Sequence, residues 1–175
     1  MESGRNHFEL FGLPVAFEVD TARLAETYRE LQRALHPDRF ANASDRERRL
    51  SVQQAAQVNE AYQILRSPLR RARYLLELRG VEFDDEKQTH LDPEFLMTQM
   101  ELREALAAVR NEADPFTALN RILADLDSER QRLEAELAGQ IEAGDDEAAR
   151  QLVQKLQFFE RLQQEAEEIE ESLLD

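Results

Sequence analysis

Two groups of residues in this chain have types and spacings that could do chemistry. The first is His36-Pro37-Asp38, inside the run LAETYRELQRALHPDRF. An imidazole beside a carboxylate suits a general acid–base pair, and a nucleophile activated by that pair would make an enzyme. The chain has no Cys, and no Ser lies in a recognisable nucleophile motif, so that reading lacks its central atom. The same tripeptide also reads as a turn, since Asp and Pro favour turns and His can cap a carbonyl. The second group is Leu96, Met97 and Met100, with Glu101 and Glu104 beside them. Met and Leu on an exposed helix face make an adaptable binding surface. Carboxylates on one helix face without His make a poor divalent-metal site. No metal and no cofactor is expected.

The elements that must position these groups are helical. All five prolines, Pro14, Pro37, Pro68, Pro93 and Pro115, fall where helices start or stop. β-branched alternation is scarce, so the fold class is all-α. His7 to Phe11 reads as a short helix with Phe8 and Phe11 on one face. Asp20 caps a helix from about Thr21, with Leu24, Tyr28, Leu31 and Leu35 as its buried stripe. The residue before a proline avoids the α region, which ends that helix near Leu35 or His36. Asp38 to Ser44 reads as a loop anchored by Phe40. Ser44 and Glu47 then form a capping-box pattern for a helix carrying Ala55, Val58, Tyr62 and Leu65. A short loop between two such helices predicts an antiparallel pair. Ser67-Pro68 opens a further helix to about Arg79, with Leu75, Leu76 and Leu78 apolar and Gly80 as its C′ residue.

Residues 81–91 are polar and aperiodic and read as a linker, between a domain at 1–80 and another at 92–175. Charge changes sign across it. Residues 1–80 hold 13 Arg and 11 acidic residues, a balance of +2; residues 81–175 hold 9 basic and 26 acidic residues, a balance of −17. So acidic a second half argues against nucleic acid, whose binding depends on neutralising phosphates. The longest apolar runs are far short of the roughly 20 residues that span a bilayer. With no signal-peptide pattern and no Cys, the expectation is an untargeted cytoplasmic protein without a membrane partner.

In the second domain Asp92-Pro93 and Asp114-Pro115 are start signals, and Gly139 and Gly144 flank a break before Asp145. Phe116, Leu119, Leu123, Leu126, Leu133, Leu137 and Ile141 form one stripe. Leu152, Leu156, Phe159, Leu162, Ala166, Ile169 and Leu173 form another. An up-down three-helix bundle follows, its last two helices paired like a coiled coil. On the helix after Pro93, Phe95, Leu102, Leu106 and Val109 lie within about 40° of one line. Leu96, Met97 and Met100 fall about 100°, 200° and 140° from Phe95, with Glu101 and Glu104 near 240° and 180°. That second apolar face exceeds what one core stripe requires; it suits either binding or packing on the rest of the chain or a second copy.

Tyr28-Arg29, His36-Pro37-Asp38-Arg39-Phe40 and Asn59-Glu60-Ala61-Tyr62 through Leu65 resemble a J-domain, the module by which DnaJ-type co-chaperones engage a DnaK-class ATPase. HFELFGLP, SPLRRARYLLEL, FLMTQMELREAL and KLQFFERL extend the likeness across nearly the whole chain, to the HscB family of iron–sulfur cluster biogenesis. The resemblance implies an L-shaped or elongated arrangement of two domains, in a non-enzymatic adaptor. His36, Pro37 and Asp38, with Tyr28, Arg29, Arg33 and Arg39, would contact an HscA/DnaK-type chaperone and favour its ATP hydrolysis. Leu96, Met97, Met100, Glu101, Glu104 and Phe158 would bind an IscU-type scaffold. Two departures from the family pattern stand out: Glu30 follows Arg29 where many J-domains carry a base, and Ala108 replaces an acidic residue of some relatives. Lack of Cys fits a protein that escorts a cluster without ligating it. A J-protein with another client, and an acidic coiled-coil structural protein, are the alternatives.

Overall fold

A computed structural model describes residues 4–83 and 93–174. Among the described residues every regular element is helical. The chain divides into two compact units, Met1–Arg79 and Gly80–Asp175. Residues 81–83 carry no regular structure. The rest of the expected linker, together with the Asp92 cap, lies outside the described residues.

The first unit has four helices, α1 (His7–Leu10), α2 (Thr21–Ala34), α3 (Asp45–Arg66) and α4 (Pro68–Leu78). Caps set their starts. Asn6 and Glu9 form a reciprocal capping box on α1, as Ser44 and Glu47 do on α3. The Asp20 carboxylate accepts from the Arg23 amide at 3.0 Å, and Ser67 caps α4. Each such cap stabilises its helix by about 1 kcal/mol. The segment after α2 is more ordered than a loop: Pro37–Phe40 forms a 3-10 turn. Proline at its first position supplies a preset φ and needs no amide partner.

Helices α2 and α3 run antiparallel: Tyr28 meets Asn59 and Tyr62, whereas Leu35 and His36 share a groove with Ala55. Leu24 is fully buried, but Tyr28, Leu31 and Leu35 are only half-buried, because the α2 stripe runs out toward solvent at the turn. Phe8, Phe11, Val58, Ala61, Leu65, Ala72, Leu75 and Leu76 complete the core, while Leu78 is exposed in the last turn of α4. One charged group lies inside this core. Arg71 is 5% exposed; its Nε donates to the Phe17 carbonyl at 2.5 Å and its Nη1 to the Leu65 carbonyl at 2.7 Å. Its guanidinium also covers the Phe17 ring at 5.1 Å. The side chain thereby ties the segment before α2 to the end of α3.

A titratable group sits where α1 meets α4. The His7 ring stacks on Tyr74 at 4.3 Å, and its amide donates to the Tyr74 hydroxyl at 3.0 Å. Burial pushes the imidazole below its ordinary value, and the Glu60 carboxylate offsets this only in part. The unfolded chain therefore takes up the proton more readily than the folded one. Stability is full above the ordinary histidine value of about 6.5 and is lost as pH falls through it toward the lower folded value. Urea midpoints of the full chain at about pH 7.5 and about pH 5.5, a window above the carboxylates, check this. The midpoint is expected to drop at the lower pH, and to drop less in His7→Phe; equal drops refute the assignment.

The second unit is a bundle of α5 (Pro93–Ala108), α6 (Pro115–Ala143) and α7 (Asp146–Leu174), with a 3-10 turn at Val109–Asn111. Leu119, Leu126, Leu133, Leu137 and Ile141 of α6 are buried, as are Leu152, Leu156, Phe159, Leu162 and Ala166 of α7. Two expectations need correction. Gly139 does not break a helix: it lies inside α6, where a single Gly costs about 1 kcal/mol, too little to stop a packed helix. The stop is Gly144, whose φ of 76° suits a residue without a Cβ. Phe116 is 40% exposed rather than part of the core, being in the first turn of α6 ahead of Leu119.

On the hairpin surface Arg130 pairs with Asp127 and Glu134, Arg132 with Glu129 and Glu136, and Arg150 with Glu147. Pairs of this kind contribute roughly 0.3–0.5 kcal/mol each, so the apolar seam, not the charge, holds the hairpin. Helix α5 and the 3-10 turn that follows it attach through Phe95, Leu106 and Val109. Phe95 meets Phe158 edge-on at 5.6 Å and Phe159 at 6.0 Å, and Phe158 meets Phe159 at 5.6 Å. Lys155 lies over the Phe95 ring at 5.2 Å, and the Arg110 side chain donates to Ser172 Oγ at 2.8 Å.

Candidate functional site

Pro37 ends α2 by its ring, and His36 turns the chain with an extended ψ of 134°. This places the His36 side chain as the N-cap of the 3-10 turn. Its Nδ1 accepts from the Asp38 amide at 3.3 Å and lies 3.5 Å from Asp38 Oδ2. In the neutral ring the proton is therefore on Nε2, the nitrogen left to meet a partner. The two side chains are 59% and 92% exposed. An acid–base pair of the hydrolase kind holds its carboxylate buried against the imidazole and faces a nucleophile. Here both groups lie in water, and Nδ1 is occupied by a backbone amide. The turn presents both side chains to solvent.

A shallow groove between α2 and α3 leads up to it. Arg29, Arg33, His36 and Pro37 line this groove together with Leu35, Ala55 and Asn59. Arg29 is exposed, and Arg33 is tethered through Nε to the Arg29 carbonyl at 3.3 Å. Asp38 and Arg39 stand on the adjoining turn and do not line the groove. Tyr28 lies behind this surface. Its ring stacks face to face on Tyr62 at 3.9 Å, its hydroxyl donates to Asn59 Oδ1 at 2.8 Å, and it accepts from Gln32 Nε2 at 2.8 Å. Its observed part is to fix α2 against α3. Gln32 is missing from the expected site residues, although its i+4 spacing from Tyr28 is visible in the sequence. Asn59 and Tyr62 appear there only as motif letters.

The second surface belongs to α5. Leu96, Met97 and Met100 are 46%, 63% and 64% exposed, and Glu101 and Glu104 are exposed beside them. Phe158 does not join them at the surface. It is 2% exposed, because α5 lands on it through Phe95 and covers its ring. Arg103, which the sequence did not single out, lies over that ring with its guanidinium 5.7 Å from the centroid. Among the described residues no group of three or more His, Cys, Asp and Glu side chains could hold a metal. None of the described helices is long and apolar enough to cross a membrane.

Comparison with known proteins separates the same two parts. Residues 6–74 match the DnaJ domain model, and residues 91–167 match that of the HSCB C-terminal oligomerisation domain. A co-chaperone protein HscB homolog of Aeromonas salmonicida is 49% identical over 170 residues, 97% of this chain and 99% of its own. The structure of chaperone HscB from Vibrio cholerae matches with a TM-score of 0.88 and 46% identity, over 97% of this chain and 99% of that one. The crystal structure of human co-chaperone protein HscB matches with a TM-score of 0.91 and 30% identity, over 97% and 84%. With a J-domain in its first unit and an HscB C-terminal domain in its second, the chain belongs to the HscB family of co-chaperones.

Proposed function

We propose that the chain stimulates the ATPase of an HscA/DnaK-type chaperone and delivers to it an IscU-type iron–sulfur scaffold. The observation that carries this reading is one pairing. An exposed His36-Pro37-Asp38 turn sits on one unit, and a separate exposed Leu96, Met97 and Met100 strip sits on the other. The turn, with Arg29, Arg33 and Arg39, is the contact for the chaperone. Its cations attract an acidic surface, and that attraction weakens with salt. The J-domain acts as an allosteric ligand that prefers the hydrolysis-competent state of the chaperone, whose own residues perform the chemistry. The strip, bordered by Glu101 and Glu104, is the contact for the scaffold, and Phe158 supports it from beneath. Holding both partners on one chain raises the local concentration of scaffold at the chaperone.

Truncating the strip tests the division of labour. Leu96→Ala with Met97→Ala removes exposed apolar anchors and should weaken scaffold binding about 10- to 100-fold, the size of an interface hot spot. Stimulation of the chaperone in the absence of scaffold should stay unchanged. Calorimetric titration and a steady-state ATPase assay read the two arms. Loss of both activities together would refute separate sites. The oligomerisation description of the matched C-terminal model favours a second use of the strip, as a contact between copies. In that case the double variant would sediment as a smaller species than the unaltered chain.

A further inference from the structure

We infer that Arg103 sets the specificity and orientation of the protein docked on α5, by donating to a carboxylate of that protein. The inference rests on the reading of α5 as a client surface and deepens it. Arg103 is exposed, and it is the one basic residue in the sequence of α5. At about 100° per residue it lies some 80° from Phe95, between the core stripe and the exposed strip, with Leu96 and Met100 as its neighbours. Its guanidinium rests on Phe158, whose ring is buried and wedged against Phe95 and Phe159. A fixed ring fixes the cation above it. The ring offers no hydrogen-bond acceptor of its own, so the contact at 5.7 Å leaves the guanidinium N–H donors available. Among the described residues the Arg103 side chain makes no hydrogen bond or ion pair.

A planar fork of N–H donors, already oriented, fits a carboxylate through two parallel hydrogen bonds and loses little freedom in forming them. Glu101 lies beyond the strip near 240°, and Glu104 falls between Met100 and Met97 near 180°. The face is therefore polarised, with the cation at one edge of the strip and both anions toward the other. A client that matches it presents an apolar patch with a carboxylate on one side and cations on the other. Turned half a revolution, the same client would set like charges against each other at both edges. The charge order thus selects one seating of the client as well as the client itself.

The test compares three variants of the full chain in titrations against the iron–sulfur scaffold, at low and at high salt. Arg103→Met keeps an unbranched stem on Phe158 but has no donors; Arg103→Lys keeps the charge without the fork. Leu96→Ala with Met97→Ala is the reference for the surface. Arg103→Met should bind about tenfold more weakly, with a shallower salt dependence, and Arg103→Lys should fall between it and the unaltered chain. Both should keep the thermal midpoint of the second unit. If Arg103→Met binds as tightly as the unaltered chain while the double variant loses affinity, the role of Arg103 is refuted and the client surface stands. If the double variant also binds normally, the client surface itself fails. A weaker Arg103→Met with a lowered midpoint and the original salt dependence makes Arg103 a packing residue only, and overturns the inference.

Discussion

Replacing His36 with Gln should abolish stimulation of the partner ATPase while leaving the chain folded. The imidazole is largely exposed, and its contacts lie within its own turn, to the Asp38 amide and carboxylate. Gln is of similar size and keeps a polar tip, and water can take over the Asp38 amide. The stability cost is then that of an ordinary surface change, within about 0.5 kcal/mol. The functional cost is much larger. Allosteric couplings of about 1–3 kcal/mol correspond to effects of 5- to 150-fold, and in the proposed function the coupling enters at this turn. Turnover of an HscA-type chaperone should therefore fall to near its unstimulated rate, with helical circular dichroism unchanged. Stimulation within about twofold of the unaltered chain would remove the turn from the mechanism.

The largest stability effect should come from Arg71→Ala. Its guanidinium is buried, serves the carbonyls of Phe17 and Leu65, and covers the Phe17 ring. Truncation strands two buried acceptors, each worth about 1–3 kcal/mol, and opens a cavity where the stem packed. A loss of roughly 3–5 kcal/mol follows, a large share of the stability of any domain this size. Arg71→Lys keeps one donor group in place of the fork and should lose less. Urea unfolding followed by hydrogen exchange, read separately over the two units, checks the prediction. Residues of the first unit should lose protection and those of the second should keep it. A cost under about 1 kcal/mol would mean that the carbonyls find other partners. Chaperone stimulation should fall in Arg71→Ala in step with the folded fraction of the first unit, although the residue belongs to the core and not to the groove.

How much of this was legible in the sequence depends on how local each cause is. Asp20, Ser44, Ser67 and Asp114 announce helix starts because a cap acts on an amide three residues away, as the Asp114 carboxylate does on Thr117. Gly139 and Gly144 look alike as letters. What separates them is the seam on either side, since a packed helix overrides one glycine and the turn requires another. The apolar face at Leu96, Met97 and Met100 could be read from angles alone. The burial of Phe158 could not, because it depends on where α5 lands. Arg71 is one of three arginines in the run PLRRAR. Only the fold decides which of them turns inward, and the same holds for the ring that Arg103 finds beneath it.

Lys155, seated over Phe95 at the base of α5, gives the chain a built-in chemical handle. The sequence holds only two lysines, Lys87 and Lys155, and all 13 cations of residues 1–80 are arginines. Guanidinium groups keep their charge at any physiological pH and resist acylation. Amine-directed labels and acetylation therefore spare the arginines of the J-domain and go to the amines of the chain, among them Lys155 beside Phe95 of α5. A fluorophore on Lys155 would sense events at the α5 strip, with the His36-Pro37-Asp38 turn left unmodified.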